Sequence, residues 1–238
     1  MSLKAVLFDF NGIIINDEPI HEKLIEQVLL EENLLIKPGE FRQFGLGRSD
    51  RACLKDILAQ HGRYVADAYI DQLLKRKAQA YLRELEALEE LPIYADTREL
   101  ILKMSQSYLK MAVVSGAVRS EIEMVLARAG LAQYFRVIVA GDEINTSKPE
   151  PDGYLLAVER LNQLEPELNL KPEECLVIED SFAGIEAAKR AGMSVVGVAN
   201  TYPFHMLQRL ASWCVDNLSE LEWERIKQVY EKSPLASG

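Results

Sequence analysis

The sequence lacks an excess of basic charge. Its 238 residues include 27 Lys and Arg against 37 Asp and Glu, which gives a formal net charge of −10. Nucleic-acid backbones are bound mainly by clustered Lys and Arg, so this composition disfavours a non-specific nucleic-acid binder. We therefore expect no nucleic-acid partner.

Cysteine and long hydrophobic runs are also scarce. The three cysteines, Cys53, Cys175 and Cys214, are far apart and show no CxxC spacing, so neither a disulfide framework nor a zinc site is indicated. The apolar run over residues 5–15 is interrupted by polar residues and is too short to span a bilayer. We expect no membrane partner, a cytoplasmic location by default, and a monomer or weak homodimer.

What the sequence does contain is an alternation of short apolar runs with longer helical patterns. Runs rich in Val, Ile and Phe between helical segments are typical of βαβ units, which form parallel sheets. The predicted fold class is α/β, with a Rossmann-like three-layer core. Strands are expected near Lys4–Phe8, Met111–Val114, Val137–Val139, Leu176–Ile178, Val195–Val198 and Trp213–Val215.

The interval between the first two predicted strands is much longer than one crossover helix requires. It reads as helix at His21–Glu32, Asp50–Gln60 and Asp67–Leu88, and it contains no convincing strand. We infer an all-helical cap over residues 16–92, inserted into a core made of residues 1–15 and 93–238. Prolines near both ends of this segment, at Pro19 and Pro92, suggest hinges.

The predicted strands end in polar residues. Ligands of open parallel sheets bind beyond the carboxyl ends of the strands, so these residues are the first candidates for a site. The segments are Asp9-Phe10-Asn11-Gly12, Ser115-Gly116-Ala117, Asn145-Thr146-Ser147-Lys148-Pro149 and Glu179-Asp180-Ser181. Together they offer carboxylates, a hydroxyl and a lysine, which are the parts needed for phosphoryl transfer. A carboxylate can attack phosphorus, other carboxylates can bind Mg²⁺, and the lysine and hydroxyl can hold the transferring oxygens.

In their order and spacing, and with a helical insertion after the first, these four segments resemble the haloacid dehalogenase superfamily. The resemblance is to its beta-phosphoglucomutase and phosphoglycolate phosphatase-like branch. It implies that Asp9 is the nucleophile and forms an aspartyl-phosphate, while Ser115 and Lys148 hold the phosphoryl oxygens. The metal site it implies uses Asp9, the backbone carbonyl of Asn11, and Asp180 supported by Glu179. The implied cofactor is Mg²⁺, and the implied partner is a small phosphorylated metabolite.

Each fragment alone also has a structural explanation. Asp9 could belong to a turn, Ser115-Gly116 to a strand-to-helix connection, and Glu179-Asp180 to the start of a helix. In the cap, the segment Phe44–Ser49 contains Arg48, which could grip phosphate bidentately, and an ordinary helix connection explains it equally well. Two further candidates for substrate contacts are the Gly116-Ala117 backbone and His21, which could face the cleft or be structural.

Asn11 departs from the family pattern, in which an aspartate two residues after the nucleophile protonates the leaving group and activates water. An amide can donate a hydrogen bond but cannot transfer a proton at neutral pH. Three explanations remain open. The substrate could need no proton or take one from a residue such as His21, turnover could have been lost, or Asn11 could be introduced or partly deamidated.

The predicted activity is therefore that of a Mg²⁺-dependent phosphatase acting through Asp9, slow or limited to good leaving groups because of Asn11. One alternative is a phosphosugar mutase, in which the aspartyl-phosphate is returned to sugar. The alternative of a different class is a phosphate-ligand binding protein without turnover.

Overall fold

The computed structural model describes residues 2–232. Six parallel strands form one sheet in the order β3-β2-β1-β4-β5-β6. They are β1 (Ala5–Phe8), β2 (Lys110–Val114), β3 (Val137–Val139), β4 (Cys175–Glu179), β5 (Ser194–Val198) and β6 (Trp213–Val215). All six predicted strands are confirmed, with differences of one residue at some ends.

The helices between β1 and β2 are α1 (Glu18–Glu31), α2 (Glu40–Phe44), α3 (Asp50–Gln60), α4 (Asp67–Ala87) and α5 (Ala95–Ser105). Those that follow β2 are α6 (Arg119–Arg128), α7 (Asp152–Leu164), α8 (Phe182–Arg190), α9 (Phe204–Leu207) and α10 (Trp223–Lys232). In the described chain, no helix has the length and apolar character that crossing a membrane would require.

The sheet is buried on both faces, which confirms the predicted three-layer α/β core. Strand alternation places Val6 and Phe8 of β1 in a hydrophobic cluster with residues of α5, α6 and α10. Ala5 and Leu7 point to the other face and pack with residues of α7 and α8. Because both faces are covered, the strands read as continuous apolar runs.

Between residues 16 and 92 the regular elements of the described chain are helices, as predicted. They share a hydrophobic cluster of their own, with Ile25, Leu54, Ile57 and Leu73 among its buried members. The two connections to the sheet run side by side, since the amide of Asn16 donates to the carbonyl of Pro92 at 2.8 Å. The division into core and cap at residues 16 and 92 stays a prediction; we call residues 16–92 the helical insertion.

Two details of the helical insertion differ from the prediction. α1 begins at Glu18 rather than at His21, so Pro19 lies in its first turn. Proline is tolerated there because the N–H that it lacks would have no partner within the helix. The short helix α2 was not predicted, and its single turn and a half is too brief to show a clear period. Serines cap two of the helices: Ser49 accepts from the Ala52 amide at 3.3 Å at the start of α3, and Ser181 accepts from the Gly184 amide at 3.0 Å at the start of α8.

Candidate active site

Three buried carboxyl groups meet where β1 and β4 end. Asp9 follows β1, Glu179 ends β4 and Asp180 follows it, and one oxygen of each lies within 4.8 Å of the others. Burial and the charge of Glu179 raise the pKa of Asp9 to about 7, although Lys148 opposes them. Burial and the charges of Glu179 and Asp9 raise the pKa of Asp180 well above its ordinary value. A divalent cation would remove this repulsion, and carboxylate oxygens are the donors that Mg²⁺ prefers.

Lys148 lies inside this cluster. Its Nζ is 2.8 Å from Asp9 Oδ1 and 2.6 Å from Glu179 Oε1, and it donates to the carbonyl of Val114 at 3.2 Å. Burial lowers the pKa of Lys148, but the two carboxylates outweigh this effect and raise the pKa above its ordinary value. The lysine is therefore held as a cation against Asp9.

Glu179 is committed to neighbouring donors. Its Oε1 accepts from Lys148 and from the Tyr154 hydroxyl at 2.8 Å, while Oε2 accepts from the backbone amides of Asp180 and Ser181 at 3.1 and 3.2 Å. Asp9 differs, because Phe10 N and Lys148 both contact Oδ1 and no hydrogen bond within residues 2–232 involves Oδ2. Oδ2 is thus the oxygen of Asp9 that is available to a ligand.

The loop after β1 brings Gly12 against Asp180. Gly12 has a φ of +76°, and a β-carbon at this position would collide with the Asp180 carboxylate, so the close approach requires glycine. Asn200 Nδ2 donates to the Gly12 carbonyl at 2.7 Å, and the Thr201 hydroxyl donates to Asp180 Oδ2. Asn200 and Thr201 were not among the predicted site residues. Their position just after the fifth predicted strand was the signal that could have found them.

Ser115 follows β2 on the same edge of the sheet. Its buried hydroxyl accepts from the Ala117 amide at 3.0 Å and lies 3.4 Å from Asn11 Oδ1. A β-carbon on Gly116 would lie 2.9 Å from Ser49 Cα, so the loop before α3 rests directly on the core at this glycine. The structure is therefore closed over the site.

Asn11 makes an interaction that the sequence did not predict. Its Nδ2 donates to both Asp17 oxygens at 3.0 Å and lies 3.0 Å from His21 Nε2. The Tyr81 hydroxyl also donates to Asp17, which is fully buried. Burial raises the pKa of Asp17, but His21 and these hydrogen bonds outweigh it and lower the pKa. Asp17 is therefore an ionised carboxylate behind the Asn11 amide.

A buried charge network continues from His21 into α4. Lys77 Nζ lies 2.6 Å from His21 Nδ1 and 2.7 Å from Asp50 Oδ2, and 3.4 Å from Glu121 Oε1 on α6 of the core. Burial opposes ionisation of both Lys77 and Asp50, but their attraction outweighs it, raising the pKa of the lysine and lowering that of the aspartate. Burial and Lys77 lower the pKa of His21, whereas Asp17 raises it, with a net rise to about 10.

A small cavity lies beyond Asn11, between the helical insertion and the core. Its volume is about 20 Å³, and it is lined by Asn11, Glu18, His21, Phe41, Gly45, Arg48, Asp50, Gly116 and Ala117. We call it the Asn11 cavity. This space holds about one water-sized group, so anything larger can enter only when the insertion moves away from the core.

A second cavity of about 150 Å³ is lined by Ser115 and Gly116, and Gly116 is common to both cavities. Its walls include Lys148 from the core and Arg51 and Lys55 from α3. The two α3 cations are already paired at the surface: Lys55 lies 2.5 Å from Asp67, and Arg51 contacts Asp71.

The structure places all the predicted site residues along this edge of the sheet. Four of them, Asp9, Lys148, Glu179 and Asp180, form one contact cluster. Ser115 lies beside Asn11, and the others line the Asn11 cavity: Asn11, His21, Arg48, Gly116 and Ala117. Sequence reasoning missed Asp17, Glu18, Asp50 and Lys77, since helical patterns alone do not show which charged side chains become buried.

A parallel α/β sheet with a buried aspartate, a lysine and paired acids at its carboxyl edge is the arrangement expected of phosphate-transferring hydrolases. Residues 3–192 match the family described as haloacid dehalogenase-like hydrolase, and the chain belongs to that family. It is 29% identical over 236 residues to Protein CbbY of Rhodobacter capsulatus, covering 96% of this chain and 100% of that protein. It is also 30% identical over 195 residues to the fructose-1-phosphate phosphatase YqaB of Escherichia coli K12, covering 82% and 95% respectively. The fold matches a crystal structure of beta-phosphoglucomutase from Clostridium difficile with a TM-score of 0.82 and 22% identity, over 96% of this chain and 97% of that one.

Proposed function

We propose that this protein is a Mg²⁺-dependent phosphatase that hydrolyses small phosphorylated metabolites through an aspartyl-phosphate on Asp9. The observation that carries the proposal is the buried cluster of Asp9, Lys148, Glu179 and Asp180 at one sheet edge. Similarity to proteins named as phosphatases supports the reaction class.

Asp9 Oδ2 attacks phosphorus, the new O–P bond forms as the leaving-group O–P bond breaks, and water later cleaves the aspartyl-phosphate to release inorganic phosphate. Lys148 keeps Asp9 ionised and offsets charge on the phosphoryl oxygens, and the Ser115 hydroxyl can donate to one of them. Asp9, Asp180 and the backbone carbonyl of Asn11 would hold Mg²⁺. Glu179, whose two oxygens already accept hydrogen bonds, would orient Lys148 and the Asp180 loop. When bound, the ion supplies positive charge beside the transferring phosphoryl group.

Protonation of the leaving group is the step for which the site is poorly equipped. The Asn11 amide is fixed by Asp17 and cannot transfer a proton at neutral pH. We therefore propose faster turnover for leaving groups of low basicity, such as aryl and acyl phosphates. For other substrates, we propose His21 as a proton donor, because it lines the Asn11 cavity and its Nε2 lies 3.0 Å from Asn11 Nδ2.

Phosphate release from a panel of aryl, acyl and alkyl phosphates tests the proposal, with Mg²⁺ present and after chelation. We expect Mg²⁺-dependent release, a phosphorylated Asp9 peptide in rapidly quenched samples, and loss of both in Asp9→Asn. Asp216→Asn, which changes an exposed aspartate, is the matched control. Equal activity in wild type and Asp9→Asn would refute the assignment. Isomerisation of a hexose phosphate without phosphate release would show mutase chemistry instead.

A further inference from the structure

We infer that Asn200 and Thr201, in the loop after β5, are positioning residues for the metal ion of the proposed phosphatase. They hold two ligand-bearing segments against each other, namely the loop after β1 and the Asp180 carboxylate. The inference rests on the proposed function, because it takes Asp180 and the backbone carbonyl of Asn11 as ligands of the ion. It adds two residues that are not ligands themselves.

The Thr201 hydroxyl determines which oxygen of Asp180 is free. It donates to Asp180 Oδ2, and no hydrogen bond within residues 2–232 involves Oδ1. A carboxylate without such a donor can rotate about its last bond, because that torsion has only broad preferences. The bond is also well shielded from water, since Asp180 is 3% exposed. Thr201 therefore keeps Oδ1 as the oxygen that is available to an ion.

The same carboxylate packs on the loop after β1. A β-carbon at Gly12 would overlap Asp180 Oδ2, which is the oxygen that Thr201 binds. Gly12 follows Asn11, whose backbone carbonyl is the other proposed ligand outside the Asp9 side chain. A displacement of Asp180 would therefore change its separation from the Asn11 backbone.

Asn200 fixes the other side of this contact. Its Nδ2 donates to the Gly12 carbonyl at 2.7 Å. Glycine has more backbone freedom than other residues, and a hydrogen bond to its carbonyl restricts that freedom. Because Asn200 and Thr201 are adjacent in the chain, one short segment holds both the loop after β1 and the Asp180 carboxylate.

The loop after β5 is itself anchored on both sides of this segment. On one side, the amide of Ala199 donates to the carbonyl of Val215 in β6 at 3.0 Å. On the other, the Tyr202 ring packs against Phe182 at the start of α8, with ring centroids 4.1 Å apart. The two positioning residues lie between these anchors. Their donor groups are therefore ordered before an ion binds, which lowers the cost of ordering its ligands.

Mn²⁺ binding to the wild type and to variants tests the inference without requiring turnover. Thr201→Val removes the hydroxyl at nearly constant volume, and Asn200→Ala removes the amide. Loss of a residue that orients metal ligands typically lowers metal affinity 10–100-fold, so each variant should raise the Mn²⁺ dissociation constant at least about tenfold. Calorimetry, or the electron paramagnetic resonance signal of free Mn²⁺, measures it. Unchanged affinity in both variants would overturn the inference.

Two controls distinguish a positioning role from a purely structural one. Thr201→Ser keeps the hydroxyl, so it should bind Mn²⁺ like the wild type. Asn217→Ala removes an exposed asparagine that donates to Glu220 at 3.3 Å, and it should also leave the affinity unchanged. Urea denaturation without metal identifies any unfolded variant, and the other variant then decides. Equal losses of affinity in Thr201→Ser and Thr201→Val would contradict the inference.

Metal binding and turnover together separate this inference from the proposed function. Mn²⁺ affinity that depends on Thr201 and Asn200, without hydrolysis of 4-nitrophenyl phosphate by the wild type, would support the positioning role and refute the phosphatase. Metal-dependent hydrolysis with the same Mn²⁺ affinity in wild type and both variants would support the phosphatase and refute the positioning role. A wild type that binds no Mn²⁺ would refute both.

Discussion

Replacing Asn11 by aspartate is the most informative single change. In Asn11→Asp a carboxylate oxygen would take the place of Nδ2, which lies 3.0 Å from both oxygens of Asp17. Two unit charges at this distance repel by about 5 kcal/mol for an effective dielectric constant of about 20. The buried pair therefore retains a shared proton, with an apparent pKa raised by about 4 units.

The sign of the resulting pH dependence follows from linkage. A carboxyl group whose folded pKa exceeds its unfolded value of about 3.9 keeps the folded state more stable at low pH. Relative to wild type, Asn11→Asp should lose up to about 1.4 kcal/mol of unfolding free energy per pH unit above about pH 4, until the folded pKa is reached. Urea denaturation between pH 5 and pH 8 measures this slope.

The exchanged double variant, Asn11→Asp with Asp17→Asn, provides the control. It restores one amide and one carboxylate at the same contact, so the excess pH slope should disappear. Asp17→Asn completes the double-mutant cycle and accounts for the lost His21 contact. If Asn11→Asp shows no excess slope and the exchange recovers no stability, the contact between residues 11 and 17 is not formed as described.

The same variants test proton transfer. General acid–base catalysis is worth about 10²–10⁴-fold, so a protonated carboxyl group at position 11 should increase turnover most for the least acidic leaving groups. Rates across a series of aryl and alkyl phosphates measure this effect, and intact-peptide mass confirms the identity of residue 11. Unchanged rates would mean that the missing proton donor is not limiting.

Three further changes have definite expected outcomes. Gly116→Ala would place a β-carbon 2.9 Å from Ser49 Cα. The helical insertion could then not close fully on the core, so kcat/KM should fall at least tenfold. An unchanged kcat/KM would argue against the contact between Gly116 and Ser49. Burial raises the pKa of Glu18, which lies among His21, Asp17, Asp50 and Lys77, to about 7. The kcat/KM for an amino-sugar phosphate should therefore rise with pH through about 7, and Glu18→Gln should flatten this rise. A rise that persists in Glu18→Gln would belong to another group. Lys77→Met leaves Asp50 and Glu121 without their cation, and denaturation should show a loss of about 3–5 kcal/mol, whereas a loss below about 1 kcal/mol would mean that the network contributes little.

Much of the candidate site at the sheet edge was predictable, because it depends on the order of the strands and on local sequence pattern. Asp9, Ser115 and Asp180 each follow a recognisable apolar run, and parallel strands bring their carboxyl ends to one edge. Lys148 could be included because it lies in the polar segment that follows the third predicted strand. The fold class was predictable for the same reason, since strands covered on both faces read as continuous apolar runs.

The charge network was not predictable by this route. Lys77 lies in α4, in a segment whose Lys, Arg and Glu content reads as a solvated helix face, yet the structure buries it against Asp50 and Glu121. The sequence contains many acids at similar spacings, and nothing local identifies which one meets a given lysine. Arg48 shows the converse: it was a candidate for phosphate contacts and it lines the cavity, but its pairing with Asp56 was not foreseen.

The strands, the helical character of residues 16–92 and the polar residues that follow each strand can be read from the sequence, because these depend on local pattern. The three-dimensional structure was needed to show that Asn11 is held by Asp17 and that Glu18 and Asp50 line the Asn11 cavity. Those contacts join the core to a helical insertion and depend on how the two surfaces meet. The balance of charge around the buried site therefore depends on how these two surfaces pack together. A carboxylate acts as a counter-ion, a hydrogen-bond acceptor or a source of repulsion according to the groups that lie within a few ångströms of it.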